Sequence, residues 1–492
     1  MRSRRSSTVQ VALTLSVLAG IVLAGTGAPC ARAQAETQAP HRAEGAQTQA
    51  AEASNEDSQD PNPRPGSVSD VFPFGVYASG NGPVPTMAAA GASLVDQIDT
   101  LCRDLRAHNF DTVWINNLSS EFLPLWLAKG REHGIRMVPQ GGGMPMYLLN
   151  QGWWEARWES AIETQVKPFY EELAHKHRND PSLLAYSIVE EIPPDSPFFP
   201  HIADITRRVA DIDPHHPVIV LYNRATSAER AVREIQPAVI GYDCYPFFTN
   251  SRSGPVSHHA QRSYYERQIA RFSRAAASID AQLWIMAQSW GRTAASDQAD
   301  PADRGMRPPT RAEMRYQVWA ALFHGARGIF FYAYASDAQP NRQGYYDEHF
   351  LDYKGQPLPH YDEAARISRR LDPVKPLLLR LRPQADVEVV YWENLEQLHG
   401  RTFVHEITGD RYLMAFNADV EKEQPIDLEF GYFPHYLAAT DHFHDVLSGV
   451  SYEGRDLRNL VLPSGSGRLF LIGGPEAWER HLAWETTTGN NR

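Results

Sequence analysis

Residues Leu183 to Asp195 read LLAYSIVEEIPPD, an apolar run closed by two adjacent carboxylates and two prolines. Glu190 and Glu191 bring together what proton transfer needs, a carboxyl group and apolar walls able to raise its pKa. Other apolar runs end in the same manner: in Asn116-Asn117, in Gln140 with GGG, in Asn223-Arg224, in Asp243 with Tyr245, in Gln288 with Trp290, and in Tyr332 with Tyr334. Acids of this kind move protons, amides bind hydroxyl groups, and flat rings stack on apolar faces such as those of sugars. The set lacks a phosphate cradle, because YASGNGPVP is no GxGxxG and opens no helix directly. It also lacks metal-ligand spacing: His215-His216 and His258-His259 are sequence neighbours whose side chains point apart. Neither a metal nor a cofactor is expected.

Each of these residues also has a plain structural reading. Paired glutamates are common on solvated loops, and Asp243 could anchor an arginine or a backbone turn. Tyr242, Trp284 and Phe330 are expected in the core. Trp153, Trp154 and Trp158, in QGWWEARWE, suit either a sugar platform or a hydrophobic cap. Position in the fold has to decide between these readings.

The elements that would position them follow from the hydrophobic pattern. Short runs rich in β-branched and aromatic residues occur at 74–78, 111–117, 135–142, 183–191, 217–223, 238–246, 283–290 and 328–334, as expected of strands buried on both faces. Helical patterns such as LVDQIDTLCRDLRAHN and AEMRYQVWAALFHGA lie between them. Eight strand-then-helix units predict an α/β fold, a (β/α)8 TIM barrel over residues 71–383. In that fold the C-terminal strand ends carry the chemistry, and those are the residues named above. After Pro383 the rhythm changes to short alternating strands, which predicts a small antiparallel β-sandwich over 384–476 and a flexible tail over 477–492.

The N-terminus reads differently. MRSRR followed by VQVALTLSVLAGIVLAG and ARAQA has the basic, apolar and small-residue parts of a secretory signal over residues 1–35. This predicts a secreted or periplasmic protein with no membrane attachment after cleavage. Residues 36–70 are Ala, Gln, Glu, Ser and Pro with almost no core formers, the composition of a disordered linker. A formal charge of −12 excludes a nucleic-acid partner, whose phosphates it would repel. Cys102 and Cys244, the two cysteines beyond the signal, fall on different elements and read as buried free thiols.

Strand four carries a family resemblance. VEEIPP resembles the Asn/Asp-Glu-Pro acid/base signature of the large clan of retaining (β/α)8 glycoside hydrolases, with Glu190 in the Asn/Asp slot and Glu191 in the acid slot. The passage ITRRVADIDPHHPVIV is similar to the run from helix four into strand five of that clan, and RPPTRAEMRYQVWAALFHGARGIFFYAY to the seven-to-eight connection of secreted glycosidase-like barrels. The resemblance implies a carbohydrate substrate and a general acid at Glu191. It also implies a Glu nucleophile at the end of strand seven, where this chain has Gln288. An amide forms no glycosyl ester, so the second carboxylate is expected to be Asp243 or Glu190. Asn116, Asn223, Arg224, Tyr245, Gln288, Trp290, Tyr332 and Tyr334 are then expected to bind substrate. Two other classes stay open: a carbohydrate-binding barrel without hydrolytic power, which Gln288 favours, and a polysaccharide lyase using Tyr245 and Arg224.

Overall fold

The computed structural model describes residues 70–141, 156–248, 250–251, 254–255, 257–295, 305–342, 344–384, 397–426 and 442–489. The expected signal, nearly all of the expected linker, Trp153 and Trp154, and two stretches of the expected sandwich (385–396 and 427–441) lie outside the described residues.

Eight parallel strands form one sheet: β1 (Phe74–Ser79), β2 (Thr112–Asn116), β3 (Arg136–Pro139), β4 (Tyr186–Glu190), β5 (Val218–Tyr222), β6 (Val239–Asp243), β7 (Gln282–Gln288) and β8 (Gly328–Tyr332). Their spatial order is β3-β2-β1-β8-β7-β6-β5-β4. The parallel bridges Met137–Leu183 and Gln140–Ser187 join the two ends. There the Met137 amide donates to the Ser182 carbonyl at 2.6 Å and the Leu184 amide to the Met137 carbonyl at 2.9 Å. The ring is a barrel.

Helices α1 (Leu94–Ala107), α2 (Leu123–His133), α3 (Lys167–His177), α4 (Phe199–Ile212), α5 (Ala225–Glu234), α6 (His258–Ser278), α7 (Arg311–Phe323) and α8 (Pro359–Leu371) each follow one strand. Alternation along the strands makes two cores. Phe74, Val76, Ile115, Tyr242 and Phe331 face the helices. Tyr77, Trp114, Leu221, Trp284, Met286 and Phe330 fill the interior. Trp114 meets Phe330 edge-on at 5.3 Å, and Trp284 packs on the same ring at 5.6 Å. Below its mouth the barrel is therefore plugged, and a ligand has access only at the rim.

The α7 start is built to be rigid. Thr310 and Glu313 form a reciprocal capping box, and Glu313, 1% exposed at its side chain, receives Arg307. A Cβ on Gly291 would stand 1.9 Å from the Pro308 nitrogen, so only glycine lets the β7 exit lie against this segment. Beyond it, Gly291–Ala294 pairs antiparallel with Tyr345–Glu348 and ties the loop after β7 to the loop after β8.

The C-terminal region holds the six-stranded antiparallel sheet β9 (Leu381–Pro383), β10 (Leu398–His405), β11 (Arg411–Asn417), β12 (His442–Asp445), β13 (Ser451–Glu453) and β14 (Gly467–Ile472), in the order β9-β10-β11-β14-β12-β13. A second, two-stranded sheet pairs Gln424–Pro425 with Val461–Leu462. The unit docks on α7, where Phe323 meets Phe416 at 5.2 Å and Arg315 donates to the Ser464 carbonyl at 2.9 Å. The expected flexible tail needs correction. Pro475–Gly489 is a helix, α9, with Ala477, Trp478 and Trp484 packed on the core. Two aromatic side chains on one helix bury enough apolar surface to order it. No described helix is long and apolar enough to cross a membrane.

Candidate active site

The acidic end of β4 owes its shape to a break in register. Ser187 pairs with Ile219, but the next aligned partner of β5, Val220, faces Val189, so one residue bulges out. A bulge re-aims the side chains that follow it. Glu191 then takes φ of +53°, which is rare for a residue with a side chain and clusters at functional sites. With both devices, two successive carboxyl groups reach the mouth where plain alternation would send one to each face.

Glu190 sits half-buried against the wall of the barrel, and both of its carboxyl oxygens accept from the Tyr77 hydroxyl at 3.0 Å. Burial is the main influence on it and pushes its pKa up to about 8, with the Glu191 charge adding to the rise and Tyr77 opposing it. At neutral pH this group holds its proton. Glu191 accepts from the Asn223 amide at 2.8 Å and lies close enough to Asp243 to raise its pKa. Two carboxyl groups so close are relieved of like-charge repulsion when one of them keeps its proton. Asp243, 3% exposed, is the one pushed up, by burial first and then by Glu191. Its Oδ1 has no hydrogen-bond partner.

Aromatic rings surround these acids. Tyr332 packs on Tyr77 at 5.0 Å and on Tyr245 at 5.4 Å, and Trp290 stands edge-on to Tyr245 at 5.9 Å. Trp290 is 7% exposed and its indole N–H is unpartnered. Beside Trp290 lies His349, whose pKa burial pulls down to about 4; its Nδ1 accepts from the Ala333 amide at 3.0 Å. The mouth thus offers two held protons, one shared charge and a ring-lined wall.

The structure brings Glu190, Glu191, Asp243, Asn223, Tyr245, Trp290 and Tyr332 together, and Asn116 is half-buried at the nearby end of β2. Two expectations change. Gln288 is fully buried and its amide is spent on backbone: Oε1 accepts from the Phe247 amide at 2.8 Å, while Nε2 donates to the Phe247, Trp290 and Arg307 carbonyls at 3.1, 2.9 and 3.0 Å. It holds the loops after β6 and β7 and, being fully buried, is out of reach of a substrate hydroxyl. Tyr334 lies in the helix-facing core, where its hydroxyl donates to Asp104 of α1 at 2.8 Å. Arg224 is exposed at the N-cap of α5, and among the described residues no carboxylate pairs with it. The carboxyl that burial pushes up to about 8 is Glu190, the chain neighbour of the expected acid Glu191. Tyr77 is missing from the set the sequence points to, although its place one residue inside Ala78-Ser79, on the inward face, was the available signal. Trp158 lies in a short helix, Ala156–Ala161, before α3. Cys102 and Cys244 are free and buried, as expected.

No family model matches the chain, and no curated protein matches it. Solved structures do. A glycoside hydrolase matches with a TM-score of 0.51 at 12% identity, over 82% of this chain and 93% of its own. A glycoside hydrolase family 5 protein from Bacteroides vulgatus matches with a TM-score of 0.51 at 11% identity, over 81% of this chain and 89% of its own. A β-glucuronidase from Ruminococcus gnavus is 11% identical with a TM-score of 0.42 over 61% of this chain, which spans about half (49%) of that longer protein. At these identities the likeness is one of fold: a glycosidase-like barrel followed by antiparallel sheet.

Proposed function

We propose that the protein is an exported glycoside hydrolase that cleaves a poly- or oligosaccharide by carboxyl general acid/base catalysis. The observation that carries this reading is the pairing of Glu190, held protonated near neutral pH, with the singly charged Glu191–Asp243 pair in one ring-lined mouth. Two carboxyl sites of opposite protonation are what glycosidic cleavage uses. Glu190 donates to the leaving oxygen. The Glu191–Asp243 pair takes a proton from water, with Asn223 orienting Glu191 at 2.8 Å. Tyr245, Trp290 and Tyr332 form the sugar platform, and the unpartnered Trp290 N–H and Asp243 Oδ1 await hydroxyl partners. The N-terminal run of basic, apolar and small residues supports export.

One observation favours a second reading, a barrel that binds glycan without cutting it: Gln288 stands where the retaining clan has its nucleophile and is committed to the framework. The lyase reading loses support. Burial pushes Tyr245 well above its ordinary value, so it holds its proton near neutral pH and is not available to take one from a substrate. Incubation with a panel of neutral and acidic glycans, followed by product chromatography, separates the two remaining readings. Reducing-end release that Glu190→Gln and Glu191→Gln both abolish supports hydrolysis. Retention of glycan without release, unchanged in either variant, supports binding alone.

A further inference from the structure

We propose that Tyr77 is the positioning residue of the acid: its hydroxyl, donated to both oxygens of Glu190 at 3.0 Å, aims the carboxyl group and holds its conjugate base after the proton has left. This rests on the reading of Glu190 as proton donor. Tyr77 is buried on β1, across the barrel from β4, and its ring is clamped by Tyr332 at 5.0 Å, so the hydroxyl has one fixed direction. A donor shared between both oxygens fixes the orientation of the Glu190 carboxyl group. A hydrogen bond to an ionised oxygen is about twice as strong as one to a neutral oxygen, so the bond tightens as the carboxylate forms. Tyr77 keeps its own proton throughout, because burial and then the Glu190 charge push its pKa far up.

The other titratable groups facing Glu190 do not supply this. Glu191, next in the chain, carries a charge that opposes its ionisation, and Asp243 on β6 is itself pushed up by the Glu190 charge. Tyr332 on β8 and Tyr170 on α3 feel its charge. Tyr170, however, gives its hydroxyl to backbone, to the Ser187 carbonyl at 2.7 Å and the Ile188 carbonyl at 3.1 Å. Tyr77 is the phenol that touches the acid.

The test is Tyr77→Phe in the full chain, read in two ways. A lost hydrogen bond to a charged group corresponds to about one to two pH units. The alkaline limb of kcat/KM should therefore move up by about that amount from near 8, with kcat reduced most for poor leaving groups. The pH at which folding stability is lost through Glu190 should move up in step, and that readout needs no turnover. Should Tyr77→Phe not fold, 3-fluorotyrosine at residue 77 keeps the shape with a more acidic hydroxyl and should move both downward. A limb and a stability profile that stay at the wild-type pH in these variants would overturn the proposal and leave Tyr77 as packing. If the wild-type protein cleaves no glycan, the hydrolase reading fails, while the stability profile still decides the role of Tyr77.

Discussion

Replacing Glu190 by Gln should stabilise the protein, and by an amount that depends on pH. The carboxyl group titrates near its ordinary 4.5 when the chain is unfolded and at about 8 when folded. Between those values the folded state holds a proton that the unfolded state has released. Stability from this group is therefore fully present below 4.5 and is lost as pH rises towards 8. Integrating from pH 5 to pH 8 gives a loss of about 3 kcal/mol in the wild-type protein. Gln is neutral at every pH, keeps an acceptor for Tyr77, and carries no such loss. Asp243 and the remaining acids act in both proteins, so the difference isolates Glu190. Urea unfolding followed by tryptophan fluorescence at pH 5, 6.5 and 8 measures it. The variant should gain steadily on the wild type, by about 3 kcal/mol at the last pH. A difference that does not change with pH would refute the buried, protonated carboxyl and with it the basis for calling Glu190 the acid.

Gln288→Glu should not supply a strand-seven nucleophile; it should destabilise the fold by about 2–4 kcal/mol in thermal unfolding, because it sets a carboxylate against three carbonyl oxygens now bound by Nε2. A gain in turnover with intact stability would contradict this. Arg307→Met should cost about 3–5 kcal/mol, since it leaves Glu313 buried without its cation at the start of α7. A loss below 1 kcal/mol by urea titration would show that the capping box alone satisfies Glu313. If the Glu191–Asp243 pair activates water, freshly released sugar should show the inverted anomer by proton NMR. A retained anomer would make Glu191 a nucleophile instead.

The barrel was legible because its signal is long and redundant. Eight two-face-buried runs such as PVIVLYN and GIFFYAY admit few other architectures, and their ends marked β4, β5, β6 and β7 as the carriers of Glu190, Asn223, Asp243 and Gln288. Side-chain direction at those ends was not legible. A single bulge after Ser187 and a positive φ at Glu191 decide which glutamate meets Tyr77 and which meets Asn223, and neither leaves a mark in VEEIPP. Gln288 misled for a related reason. An amide at a strand end looks like a ligand group until the loop backbones of Phe247, Trp290 and Arg307 are seen to converge on it. Tyr334, two residues past Tyr332, follows the chain as it leaves the strand and turns into the α1 layer. The α9 helix was hidden by the polar run ETTTG at its end, which masks Trp478 and Trp484, the two tryptophans that anchor it.

The central claim is that Glu190 gives the proton to the leaving group. The direct measurement is the leaving-group dependence of Glu190→Gln, comparing an oligosaccharide with an aryl glycoside whose phenol needs little protonation. Turnover of the oligosaccharide should fall by about 10²–10⁴-fold, the worth of general acid catalysis, while the activated substrate loses far less. Equal losses on both substrates, or this selective pattern in Glu191→Gln and not in Glu190→Gln, would contradict the account.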